Sequence, residues 1–233
     1  MTSIGILGAQ GKMGQELQLL LQKGEFHNLK CGALFDKDSP FSLSHAKALD
    51  VFIDFTESKA TLSFLPILKE LKKPIVIGTT GFTDEQKKEI QKLSQLVPVV
   101  LAPNMSIGIN VLLDLVQRAA ELLPHKFSPH IIEIHHPHKK DAPSGTALEL
   151  KKKILRGAQD DKKNIPIESL RGGDVVGEHT VLFLGPGERL ELKHNATSRS
   201  IFARGALQAA QWITHQKPGL YSMKDVLEGD HSK

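Results

Sequence analysis

The sequence is poor in the features that mark several large classes of protein. Cys31 is the only cysteine, so no intrachain disulfide can form and nothing points to an oxidising compartment. No apolar run approaches the roughly 20 residues that cross a bilayer, and residues 1–10 show no signal-peptide pattern. We therefore expect a cytoplasmic protein with no membrane partner.

The sequence also lacks clusters of charged residues of one sign, and it is poor in aromatic side chains. The formal net charge is only +4, aromatic residues make up 5% of the chain, and there is a single tryptophan and a single tyrosine. A nucleic-acid-binding protein needs clustered basic charge or aromatic side chains on which bases stack, so we expect no nucleic-acid partner. The 40% hydrophobic content excludes a disordered chain, and 233 residues suffice for one large core or two modest ones.

The first half of the chain alternates strand and helix patterns. Strands are predicted at residues 3–7, 29–35, 50–55, 74–78 and 98–102. Helices are predicted from residue 13, over 58–72 with a kink or break at Pro66, and over 83–96 after a capping box at Thr83. This alternation favours a doubly wound parallel sheet of the Rossmann type, with helices on its faces.

The second half has consecutive strands instead. Its predicted elements are a helix over 106–123, a strand over 130–135, a capping box at 146–149 that starts a helix to about 156, strands over 178–184 and 189–195 joined by a hairpin at 185–188, and a helix over 200–216. The polar residues 159–164 are predicted to be a surface loop. This pattern indicates a mixed or antiparallel sheet and hence a second domain of α+β type.

A glycine-rich loop joins the first strand to the first helix. Gly8, Gly11 and Gly14 allow a tight turn and a close approach of a pyrophosphate to the helix N-terminus, although any tight turn uses glycine. Asp36 lies 22 residues beyond Gly14, where it can accept hydrogen bonds from ribose hydroxyls or be a loop aspartate with no partner. Lys37 beside it could bind a 2′-phosphate. The strand–loop–helix context predicts a dinucleotide site.

Two further loops follow later strands of the predicted sheet. Residues 78–81 come after the fourth strand, and residues 102–105 come after the fifth. Ligands of doubly wound sheets bind at the carboxyl ends of the strands, so both loops should face the same crevice as the glycine loop. Each loop taken alone could be an ordinary turn.

Residues 133–146 form the densest group of chemically active side chains. Four of the 11 histidines lie between His130 and His138, and histidine readily exchanges a proton near neutral pH. Ser144 opens a helix whose N–H groups can hold a carboxylate, so we expect a small acidic substrate. His136 and His138 could alternatively bind zinc, which the neighbouring lysines disfavour, or the histidines could be incidental in a polar loop.

This segment resembles the E-x-H-H-x-x-K-x-D-A-P-S-G-T-A signature of the bacterial dihydrodipicolinate reductases, also called 4-hydroxy-tetrahydrodipicolinate reductases, of lysine biosynthesis. Residues 8–14 resemble the family's G-x-x-G-x-M-G loop, and residues 51–56, 78–82, 104–110 and 177–180 resemble other family segments in the same order. The chain is shorter than the family between Asp36 and Asp50, around the residues that choose the cofactor.

The resemblance implies a nicotinamide-binding Rossmann domain over 1–105 and 200–233, and a substrate-binding domain over 106–199 whose sheet forms a homotetramer interface. It implies that His135 donates a proton, that Lys139 is a second donor, and that the substrate dicarboxylate is held by His136, Ser144, Gly145 and Thr146. It implies a cofactor site lined by Gly8, Ala9, Gln10, Gly11, Lys12, Met13, Asp36, Lys37, Gly78, Thr79, Thr80, Ala102, Pro103, Asn104 and Met105. No metal is expected.

The expected reaction is hydride transfer from NADH or NADPH to 4-hydroxy-tetrahydrodipicolinate with loss of water. Asp36 repels a 2′-phosphate and Lys37 attracts it, so we expect both cofactors to be accepted. The rival hypothesis is a nucleotide-sensing regulator without turnover, which would not need the histidine and lysine side chains of residues 133–146.

Overall fold

The computed structural model describes residues 1–159 and 164–230, which form two compact units. One unit comprises Met1–Ile107 together with the chain from Ser200 onward, and the other comprises Gly108–Arg199. Residues 160–163, most of the predicted surface loop, lie outside the described residues, as do residues 231–233 of the predicted dinucleotide-binding domain. In the described part of the chain, no helix has the length and apolar character needed to cross a membrane.

The helices and strands follow one another in this order: β1 (Thr2–Leu7), α1 (Lys12–Gln22), β2 (Leu29–Phe35), α2 (Leu43–Ala46), β3 (Val51–Asp54), α3 (Ser58–Leu71), β4 (Ile75–Ile77), α4 (Asp84–Ser94), β5 (Pro98–Leu101), α5 (Ile107–Leu122), β6 (Ser128–His135), α6 (Gly145–Ala158), β7 (Ile167–Arg171), β8 (Gly177–Gly185), β9 (Glu188–Ala196), α7 (Ser200–Ile213), β10 (Gly219–Tyr221) and α8 (Met223–Asp230). Most predicted elements are present within a few residues of their expected bounds. The sequence patterns did not indicate α2, β7, β10 or α8.

The first unit is built on a six-stranded parallel sheet with the strand order β10-β5-β4-β3-β1-β2. Alternate strand residues enter different cores, because successive side chains of a strand point to opposite faces. Ile4, Ile6 and Val76 pack with α1 and α7, whereas Phe52 and Ile75 pack with α3 and α4. The predicted doubly wound parallel sheet is therefore confirmed.

Two local predictions in this unit had different outcomes. The capping box is confirmed, because Thr83 Oγ1 accepts from Gln86 N while Gln86 Oε1 accepts from Thr83 N. Of the predicted kink or break at Pro66, the break is wrong, since α3 continues through this residue. Pro66 is exposed, so the carbonyl that its missing N–H leaves unpaired lies on the side of the helix that water reaches.

The second unit is built on a four-stranded mixed sheet with the order β7-β6-β8-β9. β7 is parallel to β6, while β8 is antiparallel to both β6 and β9. The predicted hairpin is confirmed, with Gly187 at a φ of 81° in its turn. α5 and α6 cover one face of the sheet, where Ile131, Val181 and Phe183 are buried. The expected α+β unit is confirmed.

The start of α6 corrects one prediction. The capping box expected at residues 146–149 does not start this helix. α6 begins at Gly145, and its N-cap is Ser144, whose Oγ accepts from Ala147 N at 3.2 Å. Serine is a preferred N-cap residue because its short hydroxyl reaches the third N–H of the helix. The correction places Ser144 at the head of the helix.

The second face of this sheet carries apolar side chains that no described element of the unit covers. Along β6 the residues alternate between buried and partly exposed, so Ile132 and Ile134 point away from α5 and α6. Leu182 and Leu184 occupy the same face of β8, and Leu170 of β7 is 52% exposed.

Candidate active site

The glycine loop of the first unit is tightly packed. Gly8 has a φ of 83°, and a Cβ added to it would lie 2.8 Å from the carbonyl oxygen of Phe55. A Cβ on Gly14 would overlap the carbonyl oxygen of Gly8. Gly11 is the N-cap of α1 and makes no side-chain cap hydrogen bond. The first N–H groups of α1 therefore lack a side-chain acceptor from this cap, which suits the binding of a phosphate.

Asp36 is in direct contact with this loop. Its Oδ2 accepts from Gln10 N and its Oδ1 from Lys37 N, both at 2.8 Å. The hydrogen bond from Gln10, followed by that from Lys37, lowers the pKa of Asp36. Asp38, which the sequence analysis did not single out, accepts from Gln10 Nε2 at 3.2 Å. Asp36 is thus not a loop aspartate without partners.

A second, buried carboxylate lies at the end of β3. Asp54 is fully buried; its Oδ1 accepts from Thr56 Oγ1 at 2.6 Å and its Oδ2 from Thr61 Oγ1 at 2.5 Å. Burial raises the pKa of Asp54, and these hydrogen bonds oppose that rise. Thr56 N also donates to Thr79 Oγ1 at 2.9 Å, so the network joins the loops after β3 and β4. Sequence reasoning missed Asp54, although an aspartate at the end of a continuously apolar strand was a usable signal.

The two predicted loops after β4 and β5 lie at the carboxyl edge of the parallel sheet. A Cβ on Gly78 would overlap the ring of Phe55, and Ala102 N donates to Ile77 O at 3.1 Å. Asn104 Oδ1 accepts from Ser106 N at 2.9 Å. Met105 is buried in the core, so it shapes its loop rather than presenting its side chain to a ligand.

The second unit gathers a buried polar cluster around Glu133. Glu133 is fully buried, and its Oε1 accepts from Arg171 Nη2 at 2.9 Å and from Ser144 N at 3.1 Å. Its Oε2 lies 3.3 Å from His135 Nδ1 and 3.8 Å from His179 Nε2. His179 Nε2 is also within hydrogen-bond distance of Ser144 Oγ, at 3.1 Å. The motif and two distant strands thus meet on one face of the sheet.

The charges in this cluster follow from burial and hydrogen bonding. Burial would raise the pKa of Glu133, but donors that include Ser144 and Arg171 hold it at about 2. Burial lowers the pKa of His179 to about 4, and the charge of His135 adds to the effect. Burial also lowers the pKa of His135, which the charge of Glu133 partly offsets. At neutral pH, Glu133 is ionised and His179 is neutral.

The remaining motif residues lie in the loop that leads to α6. Lys139 Nζ is 2.9 Å from Asp141 Oδ1, and the ammonium charge of Lys139 lowers the pKa of His135. His136 N donates to Val175 O at 2.8 Å. A Cβ added to Gly145 would meet nothing within 4 Å, so the start of α6, from which Thr146 continues, borders open space. Of the predicted residues, His135 and Ser144 lie close to the carboxylate of Glu133, whereas Lys139 pairs with Asp141.

The cluster also has the donor set of a metal site. Ligand atoms of Glu133, His135 and His179 lie within 4.8 Å of one another, whereas the rings of His136 and His138, the pair considered from the sequence, are 6.1 Å apart. Arg171 already binds one oxygen of Glu133 and places a positive charge beside the set. The positive charge of Arg171 disfavours a metal ion here, so this arrangement is better suited to binding a proton.

Arg171 and His179 were missed as site residues in the sequence. The alternating pattern of β8 places His179 on the same face as Val181 and Phe183, which was a usable signal. No sequence pattern indicates Arg171, because its contact with Glu133 depends on the parallel pairing of β7 with β6.

A doubly wound sheet with a glycine loop, joined to a second unit that carries acid–base side chains, is the organisation of Rossmann-type oxidoreductases. Family comparison narrows this class. Residues 2–105 match the model described as "Dihydrodipicolinate reductase, N-terminus", and residues 108–227 match "Dihydrodipicolinate reductase, C-terminus". The chain belongs to the dihydrodipicolinate reductase family, as its resemblance implied.

Individual relatives agree with this assignment. The chain is similar to the 4-hydroxy-tetrahydrodipicolinate reductase of Syntrophus aciditrophicus (strain SB), with 40% identity over 262 aligned positions that cover 95% of this chain and 97% of the relative. It is 42% identical to the same enzyme of Zymomonas mobilis subsp. mobilis (strain ATCC 31821 / ZM4 / CP4), with 96% of each chain covered.

A solved structure described as dipicolinate-bound dihydrodipicolinate reductase from Paenisporosarcina sp. TG-14 superimposes with a TM-score of 0.82 at 26% identity, covering 95% of this chain and 97% of that one.

Proposed function

We propose that this protein is a 4-hydroxy-tetrahydrodipicolinate reductase of the diaminopimelate route to lysine. It reduces its cyclic dicarboxylate substrate with NADH or NADPH and releases water, giving tetrahydrodipicolinate. The observation that carries the proposal is the contact of His135 and Ser144 with the buried Glu133, together with the charge of Lys139 acting on His135, in a chain whose relatives bear this name. The dipicolinate of the solved relative is a dicarboxylate of the same class.

The first unit contains residues suited to hold the cofactor, which supplies the hydride when it is bound. Gly8 and Gly11 keep the loop narrow enough for a pyrophosphate to reach the start of α1. Asp36 fixes that loop through Gln10 and offers a carboxylate to ribose hydroxyls. Asp54 holds Thr56, which in turn donates to Thr79, so the loops after β3 and β4 are kept next to each other.

The second unit contains the groups that hold the substrate and move a proton. His135 donates a proton to the substrate carbon adjacent to the one that receives the hydride, as the enamine develops. Lys139 and the N-terminus of α6 at Gly145 bind the carboxylates, with His136 and Thr146 beside them. Lys139 is paired with Asp141 in the structure, so a substrate carboxylate must compete with Asp141 for its ammonium.

Assay of the purified protein tests this proposal directly. NADH and NADPH oxidation is followed at the nicotinamide absorbance band after adding substrate freshly made by the preceding synthase. Substrate-dependent oxidation is expected. Cofactor binding without any turnover would refute the proposal and favour a nucleotide-sensing regulator.

Cofactor preference is expected to be weak. The carboxylate of Asp36 disfavours a 2′-phosphate while Lys37 attracts it, and each effect at this exposed position is worth about 1 kcal/mol. Values of kcat/KM for NADH and NADPH should therefore agree within roughly tenfold, which corresponds to about 1.4 kcal/mol. Lys37→Ala should shift preference towards NADH, and Lys30→Ala, an exposed lysine on β2, is the matched control.

Asp36 needs a conservative change because it also holds the glycine loop. Asp36→Asn keeps a side-chain acceptor for that loop, so it should shift preference towards NADPH without abolishing binding. A wild-type preference of about a thousandfold, some 4 kcal/mol, would show that another group sets the choice.

The uncovered sheet face supports a homotetramer. Ile132, Ile134, Leu170, Leu182 and Leu184 form an apolar surface on the face opposite α5 and α6, and such a surface calls for a partner. Light scattering should give a tetramer mass at micromolar concentration. Leu170→Glu should weaken the assembly, whereas Leu220→Glu, at an exposed leucine of the first unit, should not. A monomeric wild-type mass would contradict this proposal.

The cytoplasmic location stays a prediction from the sequence. The only cysteine, Cys31, is an exposed free thiol, as suits a reducing compartment.

A further inference from the structure

Glu133 contacts both His135, the proposed proton donor, and Ser144 at the start of α6, where a substrate carboxylate is proposed to bind. We call this helix start the anion pocket. Glu133 is fully buried, yet it is ionised, because Arg171 and Ser144 N donate to its Oε1. Burying a carboxylate is costly unless it is paired and hydrogen-bonded, so a purely structural position would be filled more cheaply by an apolar side chain. The arrangement therefore points to a role for the charge.

The two oxygens of Glu133 face different parts of the site. Oε1 binds Ser144, which caps α6 and so fixes the helix start where the substrate carboxylate is expected. Oε2 lies 3.3 Å from His135 Nδ1, and both of these atoms are buried. The position of a Cβ on Gly177 lies only 3.0 Å from His135 Nε2. The imidazole is thus confined between a carboxylate at Nδ1 and the β8 backbone near Nε2.

We propose that Glu133 is a positioning residue that orients His135 through Nδ1 and fixes the start of α6 through Ser144. One carboxylate then keeps the proton donor and the anion pocket in fixed positions relative to each other. The inference rests on the proposed function, because that function gives His135 its proton transfer. An acceptor at Nδ1 holds a proton on that atom in the neutral ring and stabilises the imidazolium, which leaves Nε2 as the atom that exchanges a proton with the substrate.

Other charged groups also act on His135 and fix the sign of each expected effect. Glu133 and Asp141 favour the imidazolium, whereas Lys139 and Arg171 oppose it. His179 of β8 contacts the His135 ring edge-on and is neutral near pH 7, and His194 of β9 is paired with His179. Removing the charge of Glu133 must therefore lower the pKa of His135, and removing that of Arg171 must raise it.

The experiment compares Glu133→Gln, Glu133→Asp and Arg171→Met by NMR titration of the His135 ring, assigned by its loss in His135→Gln. Glu133→Gln should lower the pKa of His135 by about one unit or more, the usual effect of removing a close opposite charge. Arg171→Met should raise it. Glu133→Asp should keep the pKa near that of the wild type while lowering kcat about tenfold, because the shorter side chain does not hold the ring in place.

Steady-state pH profiles provide the second measurement. The alkaline limb of kcat should move to lower pH in Glu133→Gln and to higher pH in Arg171→Met. A merely structural role would lower kcat in both variants without shifts of opposite sign. Glu89→Gln is the matched control, because Glu89 is an exposed glutamate of α4 in the first unit, paired with Lys92 at 2.7 Å.

The outcomes separate this inference from the proposed function. A His135 pKa that is unchanged in both Glu133→Gln and Arg171→Met would overturn the role of Glu133 while leaving reductase activity intact. Absence of substrate-dependent NAD(P)H oxidation in the wild type, with the pKa shifts present, would overturn the function but not the orientation of His135. If Glu133→Gln does not fold, Glu133→Asp and Arg171→Met still decide the question.

Discussion

Gly177→Ala is expected to impair catalysis through a single methyl group. The added Cβ would lie 3.0 Å from His135 Nε2 and 3.3 Å from its Cδ2. Comfortable contacts need about 3.5 Å, so the ring must move by about half an ångström. It cannot move freely, because Glu133 Oε2 lies 3.3 Å away at Nδ1. Since a misplacement of about 1 Å costs about a hundredfold in rate, this shift should cost about tenfold in kcat.

The assay is steady-state oxidation of NADH and NADPH at saturating substrate, with thermal unfolding measured in parallel. Gly177 lies in a strand without a positive φ, so alanine fits its backbone and the unfolding temperature should change little. Gly172→Ala is the control, because a Cβ there meets nothing within 4 Å and the N–H that donates to His135 O is kept. A kcat for Gly177→Ala within twofold of the control would refute the confinement of His135.

His135→Gln should lower turnover by roughly a hundredfold or more, the usual contribution of a positioned general acid, while a fluorescence titration should show unchanged NADH binding; near-normal turnover would remove His135 from the mechanism. Stability should fall between pH 7 and pH 5, because His179 has a pKa of about 4 when folded and about 6.5 when unfolded, so only the unfolded chain takes up the proton. The loss at pH 5 should be about 2 kcal/mol, measured by urea unfolding with circular dichroism, and His179→Gln should reduce it. An equal pH dependence in wild type and His179→Gln would show that folding does not lower the pKa of His179.

Much of the fold could be predicted because the local signals agree with the tertiary structure. β2 has the predicted bounds, since it begins at the buried Leu29 and ends at the buried Phe35, with turn-forming segments on either side. The missed elements lack such signals: β10 has only three residues, too few to show a period, and β7 pairs with the distant β6 rather than with a neighbour in sequence. A break at Pro66 was predicted in error, because the effect of a proline within a helix depends on exposure, which a sequence pattern does not give.

The residues of the candidate site also fall into a group that could be predicted from the sequence and a group that could not. Residues within the motif, such as His135 and Ser144, could be predicted because they lie close together in sequence. The contacts of Arg171 and His179 with Glu133 could not, because 38 and 46 residues separate them and strand register alone brings them together. Asp36 was found by its spacing, but no sequence pattern predicts that its carboxylate binds the glycine loop itself.

The discontinuity of the first unit affects how the chain is made. Helix α7 contributes Ala203, Ala206, Leu207 and Ile213 to the core that also contains Ile4. The ribosome therefore releases the whole of Gly108–Arg199 before it releases the helix that completes the first sheet. During that interval one face of the nascent sheet remains uncovered, although domains otherwise fold in order from the N-terminus. We expect chaperones that bind exposed apolar surface to bind the growing chain in this window, and expression to depend on the segment from Ser200 onward more strongly than its share of the protein implies.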